Sequence, residues 1–164
     1  MGTDSTYRLE AVCFDFKGTL IDHKSGQEPV PGTESLLTRL KEMGFILAVI
    51  SRNPVSVVVD VLGPLMRFFK DRVYSSGGKG KRDCLIAFAK AHNIDALSTI
   101  AFIDDKPENL LPVARETDIS VIGFAGSGKY PETRRACLEN GIPFVETTAD
   151  LAVLLHTMSN LRPG

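Results

Sequence analysis

The sequence has 164 residues, of which 43% are hydrophobic and 24% are charged, and its formal net charge is −1. These values are ordinary for one globular domain over residues 1–164, and the lack of net positive charge argues against nucleic-acid binding. No apolar run approaches the ~20 residues of a membrane span, and the first ten residues lack a signal-peptide pattern. We therefore expect no membrane partner, and because the three cysteines are scattered we expect a reducing, cytoplasmic location.

The first predicted element is a short apolar strand that ends in an acid. Residues 11–14 read as a buried strand, and Asp15 follows it, with Gly18 and Thr19 close behind. Open α/β sheets build their sites in this way, at the carboxyl ends of parallel strands. A lone aspartate at such a place can also serve only to form a turn, so its meaning depends on the rest of the chain.

Strands and helices alternate along the remaining sequence. A helix is predicted over 33–44, and the apolar strand 45–50 follows it and leads into Ser51. Residues 55–69 combine strand-favouring valines with a helical apolar face, and we predict a helix because parallel strands need a crossover. Further strands are predicted over 71–76, 98–103, 118–124 and 142–147, each followed by a helix or a loop and helix. This alternation predicts a doubly wound, mostly parallel α/β sheet.

Polar residues follow four of the predicted strands, and the sheet would bring them to one crevice. They are Asp15, Ser51, a lysine at position 79 or 81, and the pair Asp104 and Asp105. Three carboxylates in a small volume repel one another, and a hard divalent cation such as Mg²⁺ relieves that repulsion. A hydroxyl and a lysine suit phosphate oxygens, and a carboxylate can attack phosphorus. The pattern predicts phosphoryl chemistry supported by Mg²⁺.

Three segments, taken in order, resemble the motifs of the haloacid dehalogenase (HAD) superfamily. DFKGTL (15–20) resembles the first motif, AVISRN (48–53) the second, and FIDDKPEN (102–109) the fourth. The resemblance covers nearly the whole chain. It implies a HAD-type Rossmannoid fold and an Mg²⁺-dependent hydrolase of the phosphatase class.

The resemblance also implies roles for the residues of the first and fourth motifs. Asp15 would be the nucleophile and a metal ligand, and Lys17 would contribute its backbone carbonyl to the metal and occupy a catalytic position. Asp105 would bind Mg²⁺ directly, and Asp104 would help through a water molecule.

The second and third motifs would bind the substrate. Ser51 would hold the phosphate through its hydroxyl, with Arg52 and Asn53 beside it. The third-motif lysine is either Lys79 or Lys81, and the spacing to the following helix favours Lys81.

Lys17 is the departure from the pattern. HAD phosphatases carry an aspartate at this position, which protonates the leaving group and then activates water. A lysine ammonium is a poor general base at neutral pH and brings positive charge to the edge of a cation site. The alternative hypothesis is therefore a catalytically impaired HAD-like binding or regulatory module.

The gaps between the motifs are too short for a cap domain, so we expect an open site. An open site admits a small or a macromolecular phosphorylated substrate, and a second copy of the chain could cover it. A weaker alternative is a nucleotide-binding P-loop over 123–130, with Lys129 as its lysine, although Tyr130 stands where Ser or Thr is needed.

Overall fold

The computed structural model describes residues 8–126 and 131–160. Within them, six strands form one sheet: β1 (Ala11–Phe14), β2 (Ile46–Ser51), β3 (Val73–Ser75), β4 (Ile100–Asp104), β5 (Ser120–Phe124) and β6 (Phe144–Val145). All neighbours are parallel, and the strand order is β3-β2-β1-β4-β5-β6. The predicted doubly wound parallel sheet is confirmed.

Six α helices among the described residues cover both faces of the sheet. They are α1 (Thr33–Glu42), α2 (Val55–Leu62), α3 (Arg82–Ala91), α4 (Pro107–Glu116), α5 (Pro131–Glu139) and α6 (Thr148–Ser159). Apolar side chains of α1, α2 and α6 pack on one face with Phe14, and those of α3, α4 and α5 pack on the other with Cys13. Both faces of β1 are therefore buried, which explains its continuous apolar run.

The valine-rich segment 55–69 is helical, as the need for a crossover predicted. It is not one continuous α helix, because α2 ends at Leu62 and a 3₁₀ helix follows over Gly63–Phe68. The change falls at Gly63 and Pro64, two residue types that interrupt an α helix.

No domain is inserted between β1 and β2 or between β2 and α3, all of which lie within residues 8–126. The predicted lack of a cap at these two places is therefore confirmed. Separately, none of the described helices combines the length and apolar character required to cross a bilayer.

The direction in which strands are added reverses at β1. The chain places β2 and β3 on one side of β1, then returns to place β4, β5 and β6 on the other. The connections after β1 and β4 diverge to opposite faces of the sheet, and such a reversal leaves a crevice at the carboxyl ends of the strands. The backbone N–H of Asp15 donates to the carbonyl of Ile103 (2.9 Å), so the two strands stay paired up to this crevice.

Candidate functional site

Three carboxylates meet at the crevice between β1 and β4. Asp15 follows β1, Asp104 is the last residue of β4, and Asp105 comes next. Each residue offers a carboxylate oxygen within 4.8 Å of the others, and all three are buried. The strand register causes this arrangement, since Phe14 pairs with Ile103 and the acids follow directly on both strands.

Lys81 is the buried cation of this cluster. It stands at the start of α3, and its Nζ donates to Asp15 Oδ1 (2.5 Å) and to Asp104 Oδ2 (2.9 Å). Burial lowers the pKa of Lys81, but the charges and hydrogen bonds of Asp15 and Asp104 raise that pKa by more, so the ammonium is retained. Lys79 is exposed in the preceding loop. The geometry therefore places Lys81, rather than Lys79, against the carboxylates.

Both carboxylate oxygens of Asp104 already have protein partners. Its Oδ1 accepts hydrogen bonds from the backbone N–H groups of Asp105 (2.7 Å) and Lys106 (3.0 Å), and its Oδ2 accepts from Lys81. Burial and the charge of Asp15 raise the pKa of Asp104 to about 6, against the opposing effect of Lys81. Asp104 is thus suited to orient Lys81 and the start of α4.

The carboxylate of Asp105 differs from that of Asp104 in its hydrogen bonding. Neither of its carboxylate oxygens has a hydrogen-bond partner among the described residues, although the side chain is fully buried. Burial and then the charge of Asp15 raise the pKa of Asp105 to about 10. A buried, unpartnered carboxylate is costly unless it is paired or coordinates a metal. Because the donors here are oxygens, the site fits a hard cation such as Mg²⁺.

A tight turn after β1 orients Asp15. The carbonyl of Phe16 accepts hydrogen bonds from the three successive N–H groups of residues 19–21, at 2.9 to 3.3 Å. This turn brings Thr19 back over β1, and its Oγ1 donates to Asp15 Oδ2 (3.2 Å). Both oxygens of Asp15 are therefore held, one by Thr19 and one by Lys81.

Two glycines and a threonine pack around Asp105. Gly18 has a φ of 90°, and a Cβ atom at this position would overlap the carboxylate of Asp105. Gly126, which follows β5 with a φ of 57°, lies so close to Gly18 that its Cβ would overlap the Gly18 carbonyl oxygen. Thr133 of α5 is buried, and its Oγ1 donates to the carbonyl of Asp105 (2.6 Å). The connection after β5 and the first turn of α5 thus support the positions of Gly18 and Asp105.

The turn after β2 forms the other side of the crevice. Ser51 Oγ accepts hydrogen bonds from the backbone N–H (3.0 Å) and Nδ2 (3.4 Å) of Asn53, so the hydroxyl hydrogen is left to donate elsewhere. Arg52 is exposed, and its Nη2 donates to Oδ1 of the buried Asn109 (3.2 Å). All four residues line one cavity of about 120 Å³ together with Asp15.

Lys17 lines the same cavity. Its backbone forms a β-bridge with Ile21. Its Nζ lies near Gly26, since a Cβ atom added to Gly26 would be 3.8 Å from this Nζ. Lys17 has no salt bridge within 4.0 Å to an acidic side chain in residues 8–126 or 131–160. Its ammonium is therefore directed towards the loop 22–29, and it does not pair with Asp15 or Asp105.

The structure also identifies lining residues that the motifs did not single out. Lys106, next to the acidic pair, and His23, in the loop after β1, both line the cavity with Asp15. The position of Lys106 directly after Asp105 could have identified it from the sequence. No sequence pattern indicates the contacts of Gly126 and Thr133. Lys129, the P-loop candidate, lies outside the described residues.

The comparison with known proteins rests on structure. No protein-family model and no curated protein sequence matches the chain. A predicted phosphatase from Clostridium acetobutylicum is 18% identical, with a TM-score of 0.75 over 92% of this chain and 100% of that one. A haloacid dehalogenase-like family hydrolase from Streptococcus pneumoniae is 16% identical, with a TM-score of 0.73 over 89% and 98% of the two chains.

A HAD family hydrolase from Deinococcus radiodurans, solved with bound phosphate and sodium, is 14% identical, with a TM-score of 0.70 over 95% and 99% of the two chains. At these identities the likeness concerns the fold. The chain has the fold of HAD-superfamily hydrolases, and the resemblance seen in the motifs is confirmed at that level.

Proposed function

We propose that the protein is a HAD-type hydrolase that carries out Mg²⁺-dependent phosphoryl chemistry through Asp15 on a phosphorylated substrate. One observation carries the proposal: Asp15 is held by Thr19 and Lys81 beside the buried, unpartnered carboxylate of Asp105. The fold shared with HAD hydrolases and phosphatases supports the same class of reaction.

Asp15 and Asp105 would hold the ion, together with the backbone carbonyl of Lys17. Asp104 would act through a water molecule, as the resemblance implies, while it also holds Lys81 and the start of α4. When bound, the ion would neutralise the carboxylates and stabilise negative charge on a phosphoryl group. This assignment accounts for Asp105, whose raised pKa means that it needs a nearby cation to ionise.

Asp15 supplies the nucleophile. Its carboxylate oxygen forms a bond to phosphorus while the bond from phosphorus to the leaving oxygen breaks, which gives an acyl phosphate on Asp15. The Ser51 hydroxyl and the third N–H of the Lys81 ammonium would donate to phosphoryl oxygens. Water then attacks phosphorus, releases inorganic phosphate and restores Asp15. The leaving oxygen gains one proton and the attacking water loses one.

The first test is turnover of 4-nitrophenyl phosphate with and without Mg²⁺. The wild type should require the metal, and Asp15→Asn should be inactive because an amide cannot attack phosphorus. Asp60→Asn, which changes an exposed residue of α2, is the matched control and should keep its activity. Turnover by Asp15→Asn at the wild-type rate would remove Asp15 from the mechanism.

A second function is favoured by Lys17, which stands where a general acid and base is needed. A protein with this residue can retain its metal and phosphate site and act as a binding or regulatory module. Calorimetric titration separates the two functions. Binding of Mg²⁺ and phosphate without turnover of any ester would select the module.

A further inference from the structure

The carboxylates of the proposed centre are balanced in charge before a substrate enters. Asp15, Asp104 and Asp105 would carry three negative charges when ionised, and Mg²⁺ and Lys81 would supply three positive charges. The charge available to a ligand is therefore set by the other side chains that line the cavity.

Three further cations line this cavity among the described residues. Lys17 follows β1, Arg52 follows β2 and Lys106 follows β4, so they approach the cavity from three different loops. None of the three has a salt bridge within 4.0 Å to a described acidic side chain. Both lysines are half-buried. Unpaired like charges around one cavity repel one another unless an anion balances them.

Arg52 is exposed, but a hydrogen bond to the protein fixes the direction of its guanidinium. Its guanidinium donates to Asn109, a buried residue of α4 that lines the same cavity. A guanidinium presents five N–H donors in a planar fork and binds carboxylate or phosphate through two of them at once. One N–H is used by Asn109, which leaves others for a ligand.

Asp15 is the one acidic side chain among the described residues that line this cavity. Three unpaired cations exceed the charge of a phosphate monoester, which is at most a dianion. We infer that the substrate of this site carries a second anionic group, a carboxylate or a second phosphate, within a few atoms of the phosphoryl group. This inference rests on the proposed function.

The test compares three ligands that contain no phosphate ester bond to hydrolyse: methylphosphonate, phosphonoacetate and methylenediphosphonate. Each is titrated calorimetrically into the wild-type protein with Mg²⁺ at pH 8. Phosphonoacetate, methylenediphosphonate or both should bind about tenfold to a hundredfold more tightly than methylphosphonate, as expected for added charge-assisted hydrogen bonds. Whichever binds more tightly identifies the second group as a carboxylate or a phosphate.

Equal affinities for the three ligands would overturn the inference and leave the proposed function intact. If none of them binds, the proposed phosphate site itself fails, and the inference fails with it. The two failures are therefore distinguishable in the wild-type protein alone.

Variants then show whether the cations cause the preference. Arg52→Gln keeps a donor for Asn109 but removes the charge, and Lys17→Met and Lys106→Met remove the other two charges. At least one of them should reduce the preference about tenfold. Lys24→Met, in the adjacent loop 22–29 but outside the cavity lining, should not change this preference. A preference that survives all three cation variants would come from chelation of the ion, and the inference would be wrong.

Discussion

Gly18 and the carboxylate of Asp105 are packed so closely that a Cβ atom on Gly18 would overlap Oδ2 of Asp105. Gly18 also adopts a φ of 90°, which non-glycine residues rarely adopt. The turn that orients Asp15 therefore packs directly against Asp105, and position 18 has no room for a side chain.

Gly18→Ala should destabilise the metal-free protein by about 2–4 kcal/mol, because the variant combines backbone strain with a clash against Asp105. Urea unfolding measures the change. Gly78→Ala is the control, since a Cβ atom there meets nothing within 4 Å and the residue is exposed. The control should stay within about 0.5 kcal/mol of wild type. Identical unfolding midpoints for the two variants would contradict the close approach.

Asp105→Asn should stabilise the metal-free protein at pH 8 by about 2–4 kcal/mol, because it replaces a buried acid that cannot ionise with a neutral amide. The same change should abolish the stabilisation that we expect Mg²⁺ to give to the wild type, since a proposed ligand is lost. Thermal unfolding with and without Mg²⁺ measures both effects. Asp60→Asn, an exposed change of the same kind, should produce neither.

The advantage of Asp105→Asn should grow with pH. In the fold the pKa of Asp105 is about 10, above the value of about 3.9 for an aspartate in an unfolded chain. The folded state thus holds a proton that the unfolded chain releases, so this contribution to stability is complete below pH ~4 and is lost as pH rises towards about 10. Without metal, wild type should lose stability relative to the variant between pH 5 and pH 8. Parallel stability curves would contradict this assignment.

Lys81→Met should destabilise the protein by about 3–5 kcal/mol, because it leaves the buried carboxylates of Asp15 and Asp104 without their cation. Lys79→Met removes the same charge from an exposed position two residues away and should cost less than about 0.5 kcal/mol. Urea unfolding of the pair compares the two lysines directly. A larger cost for Lys79→Met would reverse the assignment of the third-motif lysine.

Lys17→Asp should raise phosphatase turnover by about 10²–10⁴-fold on an ester that has a poor leaving group and no second anionic group, because it introduces a general acid and base beside Asp15. The gain should be smaller on 4-nitrophenyl phosphate, whose leaving group needs little protonation. Steady-state kinetics on both esters measure the difference. Lys24→Asp makes the same charge change in the adjacent loop and should give no gain. A slower Lys17→Asp enzyme would show that the lysine has a catalytic or binding task of its own.

The two strands that carry the acids could be predicted from the sequence because they lie in the centre of the sheet. β1 and β4 are buried on both faces, so each is an apolar run that stops where a polar residue begins. The end of each run marks Asp15 or the pair Asp104 and Asp105. Parallel pairing then brings these residues together without any further information from the sequence.

Other parts of the site depend on contacts that no local pattern reports. Lys79 and Lys81 share one glycine-rich loop, and the spacing to the following helix favoured Lys81 without showing its contacts to Asp15 and Asp104. Thr133 reaches Asp105 across 28 positions of sequence, through the packing of α5. The direction of Lys17 likewise follows from the loop 22–29, whose conformation is set by its own turns.

The central position of β1 has a consequence for synthesis of the chain. In the finished sheet β1 is covered by β2 on one edge and by β4 on the other, but β4 begins only at Ile100. Until that point has left the ribosome, β1 has one edge of unpaired backbone groups on an apolar strand, a template for aggregation. A nascent chain that stops before β4 would already contain Asp15, Ser51 and Lys81. It would still expose the unpaired edge of β1 to other chains.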